Sequence, residues 1–399
     1  MKTANCAWSP ETGEPFALRL RGEGCVRFLG QRISRSMIDG IRVVVSELSE
    51  QPLEAIERFI SLEPMAMPDV STLGTRDVVI AVKSAAVGWV DLIMTSGQYQ
   101  HVPKPPYTPG LEYAGVVAWA GSEAGAVAAG DRVLVDGFLA GPRSHGAYQR
   151  YGGFASYAVA PMEAIHRIPG ALTFDQACNL LGNYETAVHC LVTRGRLAAG
   201  ETVLINGASG ATGLAAVHVA KLLGATVIAT GRSTAKLATV REQGADHVIV
   251  IAQSEGEIRD EVKALTNGRG VDVVYDGVGG DISIETLRCL RFGGRFLIVG
   301  WAATPFVSRG KGQRGTPNAN VLPTNLIMMK GLEVLGCPTV ISTVNDPSLR
   351  PPRLAQVLRW AEAGQIRPHV SHVFPLAEVK QAMLAKWRGE VIGGCVVHP

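Results

Sequence analysis

The sequence predicts an α/β fold, a doubly wound parallel sheet joined to a β-rich domain. Three observations predict it. From about Thr173 apolar, strand-like runs alternate with helical stretches, the pattern of a parallel sheet covered on both faces. A glycine-rich turn, Asn206 to Gly213, joins the apolar run Thr202–Ile205 to an apolar helix over Leu214–Leu223. Before Thr173 the chain is rich in short strands and turns. At 399 residues it exceeds one ordinary domain.

The elements follow in order. Ile41–Val45, Asp77–Val82, Glu112–Ala120 and Asp131–Val135 read as strands, and proline-rich Val102–Pro109 as an extended loop. Asp175–Leu181 and Glu185–Arg194 read as helices. Val203–Ile205, Thr226–Thr230, His247–Val250, Val271–Tyr275 and Gly294–Val299 are strands of the parallel sheet. Thr234–Gln243, Glu257–Thr266 and Ile282–Leu290 are helices between them. Gly224 and Gly244 follow helices as C-cap glycines. Trp301–Pro323 reads as a long loop with a basic cluster, Arg309, Lys311 and Arg314. Beyond it, Arg353–Gly364 and Ala377–Lys386 are helical, and Val370–Phe374 and Val391–Val397 are strands.

Composition narrows the class. Apolar residues make up 47% and charged residues 18%, so the chain is globular. A formal net charge of +3 gives no sign of nucleic-acid binding. No uninterrupted apolar run reaches membrane-spanning length. The cysteines number seven, an odd count with no C-x-x-C pair, which fits free thiols in a reducing cytoplasm. Residues 1–39 are mixed in charge and lack a period. They read as a solvated N-terminal extension, with a targeting role left open.

The glycine turn carries the chemistry. Read as a dinucleotide fingerprint it is Ala208-Ser209-Gly210-Ala211-Thr212-Gly213, with alanine in the first glycine place. Between a buried strand and a helix, such a turn brings backbone N–H groups and the positive helix end to a pyrophosphate. The second strand then ends in Thr230-Gly231-Arg232-Ser233, with Lys236 behind and no acid. An acid there would accept the ribose hydroxyls of NADH. Arg232, Ser233 and Lys236 instead suit the 2′-phosphate of NADPH.

Five segments now stand in order: Asp91-Leu-Ile-Met-Thr-Ser-Gly-Gln-Tyr99, Pro105–Val117, Asn206–Gly213, Asp276-Gly-Val-Gly-Gly280 and Leu322–Gly331. Together they resemble the medium-chain dehydrogenase/reductase superfamily, and within it the zinc-independent quinone oxidoreductase branch. The resemblance runs from about Ile41 to Pro399. It implies a GroES-like catalytic domain, residues 40–172 and 321–399, interrupted by a Rossmann NADPH-binding domain over 173–320. It also implies a homodimer, and an active site between the domains. By resemblance, Thr186, Gly277, Val278 and Gly300 would also lie along the cofactor.

Zinc-dependent relatives take ligands from a Cys and from a Gly-His-Glu segment. The corresponding positions here are Gly88 and Gly110-Leu111-Glu112, and leucine cannot ligate a metal. His369 and His372 are three apart in a strand and would face opposite sides, so no metal site is expected. Without such a Lewis acid the acceptor must take hydride readily, as quinones, enones and enoyl thioesters do. Tyr99 is the candidate to hydrogen-bond the acceptor's oxygen or deliver a proton. Trp89 is the candidate to stack on the substrate where the branch usually has, at Gly88, an asparagine. Asp91 would organise the loop. The expected function is an NADPH-dependent, zinc-independent reductase. A protein that keeps the cofactor site but does little catalysis is the alternative, kept open by Gly88.

Overall fold

The computed structural model describes residues 40–251, 258–304, 307, 315, 316 and 320–399. The extension 1–39 and the basic residues Arg309, Lys311 and Arg314 lie outside them.

The first half is built from β1 (Gly40–Val45), α1 (Pro52–Arg58), β2 (Ile60–Met65), β3 (Asp77–Ala86), α2 (Trp89–Thr95), β4 (Glu112–Ala120), β5 (Arg132–Val135), β6 (Tyr157–Pro161) and β7 (Ile165–Arg167). Strand β3 is the hub, because its apolar run pairs antiparallel with both β4 and β6. The sequence pattern had not revealed α1, β2 or α2. These are short elements of six or seven residues, too brief for a period to show.

Two helices follow, α3 (Phe174–Ala177) and α4 (Leu181–Val188), and α4 runs on as a π-helix over His189–Arg194. Their break falls at 178–180, earlier than the sequence pattern suggested. The reason is tertiary: the Glu112 carboxylate accepts the Gly182 N–H at 2.6 Å and so caps the first turn of α4.

The alternating region gives β8 (Thr202–Asn206), α5 (Ala211–Leu222), β9 (Thr226–Gly231), α6 (Thr234–Glu242), β10 (His247–Val250), α7 (Ile258–Leu265), β11 (Val271–Asp276), α8 (Asp281–Cys289) and β12 (Leu290–Ile298). Then come α9 (Thr324–Met329), β13 (Glu333–Gly336), α10 (Thr339–Asn345), α11 (Arg350–Glu362), β14 (Val370–Pro375), α12 (Val379–Trp387) and β15 (Gly394–His398). The six-stranded parallel sheet has the order β10-β9-β8-β11-β12-β13. Its order reverses between β8 and β11, the switch point where doubly wound sheets bind ligands. Buried on both faces, Val203, Leu204 and Ile205 form the continuous apolar run of a central parallel strand.

The domain boundary expected at 320/321 needs correction. Strand β13, Glu333–Gly336, pairs with β12 and completes the parallel sheet from within the span assigned to the catalytic domain. Val357 and Ala361 of α11 join the same core. The chain then returns to the first sheet, where β15 pairs with β3 and β14 lies parallel to β15. Ala86, Ala114 and Val396 of that sheet share one core with Tyr184, Ala208 and Leu214, so the two sheets close on common apolar packing.

Candidate active site

The glycine turn lies at the C-terminal end of β8. The left-handed residue is Gly207, at φ +66°, one place before the fingerprint's missing glycine. Ala208 follows, fully buried in the core, so its methyl group contributes packing at the place where the motif lacks a glycine. Gly210 caps α5 in an extended conformation. A Cβ on Gly213 would sit 2.4 Å from the Gly207 carbonyl oxygen, so only glycine lets helix and turn approach this closely. Ala211, Thr212 and Gly213 form the first turn of α5, whose amides have no acceptor within the helix. Thr212 Oγ1 donates to Asn183 Oδ1 at 3.1 Å. The Ser209 carbonyl accepts the Gly393 N–H at 2.8 Å, joining the turn to the segment before β15.

Asn206 anchors the turn from below, a role the motif did not signal. Its amide donates to Asp276 Oδ1 (3.2 Å) and Thr286 Oγ1 (3.0 Å) and accepts from Thr230 Oγ1 (3.0 Å). Asp276 in turn accepts the Val278 N–H at 3.0 Å and the Gly279 N–H at 3.3 Å. Thus three strand ends, β8, β9 and β11, are tied together at the switch point. Val278 faces Gly207: its Cγ2 lies 2.9 Å from where a Gly207 Cβ would be. Gly300 bonds to the Asp276 carbonyl at 3.3 Å and stands beside Gly277. Thr186 is half-buried on α4, the helix that packs on α5. These contacts bring Gly207, Asn206, Asp276, Val278 and Gly300 together at the switch point.

The basic turn divides. Arg232 is exposed. The Ser233 hydroxyl accepts the Lys236 N–H at 3.4 Å and caps α6. Lys236 departs from expectation: its ammonium donates to the Gly389 and Val391 carbonyls beyond α12. Those carbonyls follow a helix C-terminus, where a cation is favoured. Burial lowers its pKa, with Arg232 adding to the effect.

Helix α2 carries two of the candidate side chains, Trp89 and Asp91. Asp91 is buried and accepts three backbone N–H groups, Gly88 at 2.9 Å and Gly110 and Leu111 at 3.1 Å each. Burial pushes it up to about 7, against those donors. It holds the start of α2 to the turn before β4, so its contacts are those of an organiser. Trp89 departs from expectation. Its ring stacks on Trp387 of α12, centroids 5.6 Å apart and 3° from parallel. The stacking partner is thus another tryptophan of the catalytic core. Tyr99 packs with Met94 and Leu111 and is 7% exposed. His101 meets Tyr99 edge-on at 6.1 Å, and His145 meets His101 at 5.5 Å.

One buried charge network carried no sequence signal, because its members come from three distant segments. Asp136, just after β5, takes a two-point pair from Arg350 of α11, one contact at 2.7 Å. Arg350 Nε also reaches both oxygens of Glu185 on α4 at 3.2 Å. Arg353 pairs with Glu185 at 3.2 Å and donates to His189 Nδ1 at 2.8 Å. Burial raises Glu185 despite both guanidinium groups. Burial, with Arg353 and Arg194, lowers His189 to about 4.

Among the described residues no group of three or more His, Cys, Asp or Glu side chains is placed to hold a metal. Leu111 is buried, and Gly88 is the N-cap of α2. His372 stacks on Phe374 at 6.2 Å, and His369 precedes β14.

Comparison with known proteins bears on this arrangement. Residues 74–170 match the family model described as an alcohol dehydrogenase GroES-like domain, and residues 211–349 the one described as zinc-binding dehydrogenase. A quinone oxidoreductase-like protein 2 homolog of Nematostella vectensis is 32% identical over 341 residues, 84% of this chain and 86% of that protein. The chain belongs to the medium-chain dehydrogenase/reductase superfamily, in its quinone oxidoreductase branch. As a member of that superfamily it is an oxidoreductase. The quinone oxidoreductase of Homo sapiens is 29% identical over 307 residues, 77% of this chain and 84% of that one. A probable oxidoreductase from Mycobacterium abscessus superposes with a TM-score of 0.72 at 29% identity, covering 90% of this chain and 100% of that one. The superfamily's GroES-like and Rossmann-type domains are the two sheets described above.

Proposed function

We propose that this oxidoreductase is an NADPH-dependent, zinc-independent reductase whose acceptor is a quinone or an activated C=C bond, an enone or enoyl thioester. The carrying observation is the cradle at the switch point. Gly207 and Gly213 are held so close that a side chain on Gly213 would collide with backbone, and the first amides of α5, with no acceptor in the helix, are the donors a pyrophosphate would take. NADPH would supply the hydride. The chain's own residues do the rest. Ala208 to Gly213, Gly277, Val278, Gly300 and Thr186 hold the dinucleotide along the strand ends. Arg232 and the Ser233 hydroxyl receive the 2′-phosphate, and Lys236 ties that turn to Gly389. Tyr99 meets the acceptor's oxygen, and Asp91 fixes α2 behind it. Zinc independence is supported by Leu111 and Gly88 at the ligand positions.

Oxidation of NADPH, followed by its absorbance against a panel of quinones, enones and enoyl-CoAs, tests the reading. Turnover with at least one acceptor class is expected. Tight NADPH binding with no turnover on any acceptor would refute it. Arg232→Ala is expected to raise the NADPH Michaelis constant about tenfold or more, the loss of one charge-assisted phosphate contact. The constant for NADH should stay where it was.

A further inference from the structure

The proposed cofactor is negatively charged at both phosphates of its pyrophosphate, yet the turn that would hold it, Asn206 to Gly213, has no charged side chain. Helix α5 offers only a partial positive charge at its start. A full cation stands close by, on an element the sequence did not connect with the cofactor. Lys386 lies in the last turn of α12, the helix packed on β14 and β15. Its ammonium donates to the Gly393 carbonyl at 3.3 Å. Gly393 is itself fastened to the turn: its N–H donates to the Ser209 carbonyl at 2.8 Å, and it forms a parallel bridge with Gly210. One residue therefore joins the Lys386 ammonium to the start of α5.

Lys386 is half-buried. The titratable groups that face it are Asp91 of α2, Cys395 of β15 and Lys236 of α6. Asp91 accepts three backbone N–H groups, and Lys236 donates to the Gly389 and Val391 carbonyls. Among the described residues no carboxylate forms an ion pair with Lys386. An ammonium has three donors and no acceptor, so the bond to Gly393 leaves two for a ligand. A cation withdrawn from water without a counter-charge is costly, and burial accordingly holds the Lys386 pKa below the ordinary lysine value. The neighbouring Trp387 is stacked on Trp89, which fixes the end of α12.

We propose that Lys386 is a cofactor-binding residue: its ammonium takes a pyrophosphate oxygen of the dinucleotide, so that the cofactor's central charge ties the glycine turn to the segment between α12 and β15. The inference rests on the reading of that turn as a dinucleotide site. The same segment reaches the 2′-phosphate turn at its other end. Lys236 is bonded to Gly389, and Arg232 Nη2 lies 3.7 Å from where a Gly389 Cβ would be. Residues 389–393 thus run from the turn that would read the 2′-phosphate to the turn that would hold the pyrophosphate. The two cations divide the work. Arg232 separates NADPH from NADH, whereas Lys386 meets a group that both share.

Fluorescence titration of the full chain with NADPH and NADH tests this, with calorimetry of 2′-AMP, which has the 2′-phosphate and no pyrophosphate. Lys386→Met keeps the methylene packing and removes the charge. It is expected to weaken NADPH and NADH by the same factor, about tenfold or more, the loss of one charge-assisted contact. Binding of 2′-AMP should be unchanged, and Lys386→Arg should keep most of the dinucleotide affinity. Unchanged NADPH and NADH constants in Lys386→Met would overturn the inference. An equal loss for 2′-AMP would overturn it too, because it marks a segment that has lost its shape. A second measurement needs no variant. On the unsubstituted chain, acetylation of Lys386 by acetic anhydride, read by peptide mass spectrometry, should fall in NADPH or inorganic pyrophosphate and not in 2′-AMP. Equal labelling with and without NADPH overturns the inference even if no variant folds. An unsubstituted chain that binds neither NADPH nor NADH removes the dinucleotide reading, and this inference with it.

Discussion

Gly213 has no room for a methyl group: the nearest atom, the Gly207 carbonyl oxygen, would be 2.4 Å away. Gly213→Ala should therefore push helix α5 off the turn or tilt it. Overpacking of this kind costs about 1–3 kcal/mol, so the dissociation constant for NADPH should rise on the order of tenfold. A fluorescence titration of NADPH checks this, and an unchanged constant would count against the cradle. A Cβ on Gly210 would meet nothing closer than 3.4 Å, and the same substitution there should be milder. The two glycines look equivalent in the motif, and only their neighbours separate them. Asp91 makes the same point. Its place in the Asp91–Tyr99 segment was legible, but not its three N–H donors, which include residues nearly twenty positions away.

At the scale of elements, α4 and its π-helical continuation concentrate the acid-sensitive contacts. His189 accepts from Arg353 through Nδ1 and must be neutral to do so. Its folded-state pKa, about 4, lies below the ordinary imidazole value near 6.5. The unfolded chain therefore binds this proton first as pH falls. The contribution is intact above about pH 6.5 and is lost on the way down to about 4, at most on the order of 3 kcal/mol. The urea midpoint of the unsubstituted chain should fall over that window, and that of His189→Gln should fall less. Equal slopes would show that another group sets the acid limit. Arg350, between Asp136 and Glu185, ties β5, α4 and α11 together. Arg350→Met would strand two buried carboxylates. A loss of about 3–5 kcal/mol is expected from urea unfolding at neutral pH. A loss under 1 kcal/mol would mean that water reaches the pair. No period or motif announces such a network, because its charges converge only after the chain has returned past β13.

For the whole molecule, the outer edge of the parallel sheet draws notice. Strand β13 has one strand neighbour, β12, among the described residues. Beside it Phe292, Met328 and Met329 are 75%, 74% and 69% exposed. An edge strand flanked by exposed apolar side chains is the kind of surface through which chains associate, which fits the homodimer that the resemblance implies. Light scattering should give about twice the chain's 42.3 kDa. Met328→Glu with Met329→Glu should shift that mass toward the monomer while leaving cofactor affinity in place. A monomeric unsubstituted protein would refute the dimer. Among the described residues no helix is long and apolar enough to cross a membrane.

By itself the sequence determined the two sheet types, the glycine turn between β8 and α5 and the family, because these rest on short-range signals. Apolar runs such as Val203–Ile205 mark a buried strand, and glycines mark turns, wherever the rest of the chain goes. Only the tertiary structure decided where the parallel sheet ends, since Glu333–Gly336 becomes its sixth strand through pairing with β12. It also decided the company of the candidate side chains: Trp89 on Trp387 and Lys236 on Gly389. Those contacts join residues about a hundred and fifty to three hundred positions apart. Burial, which sets their electrostatics, exists only once the two sheets have closed on a common core.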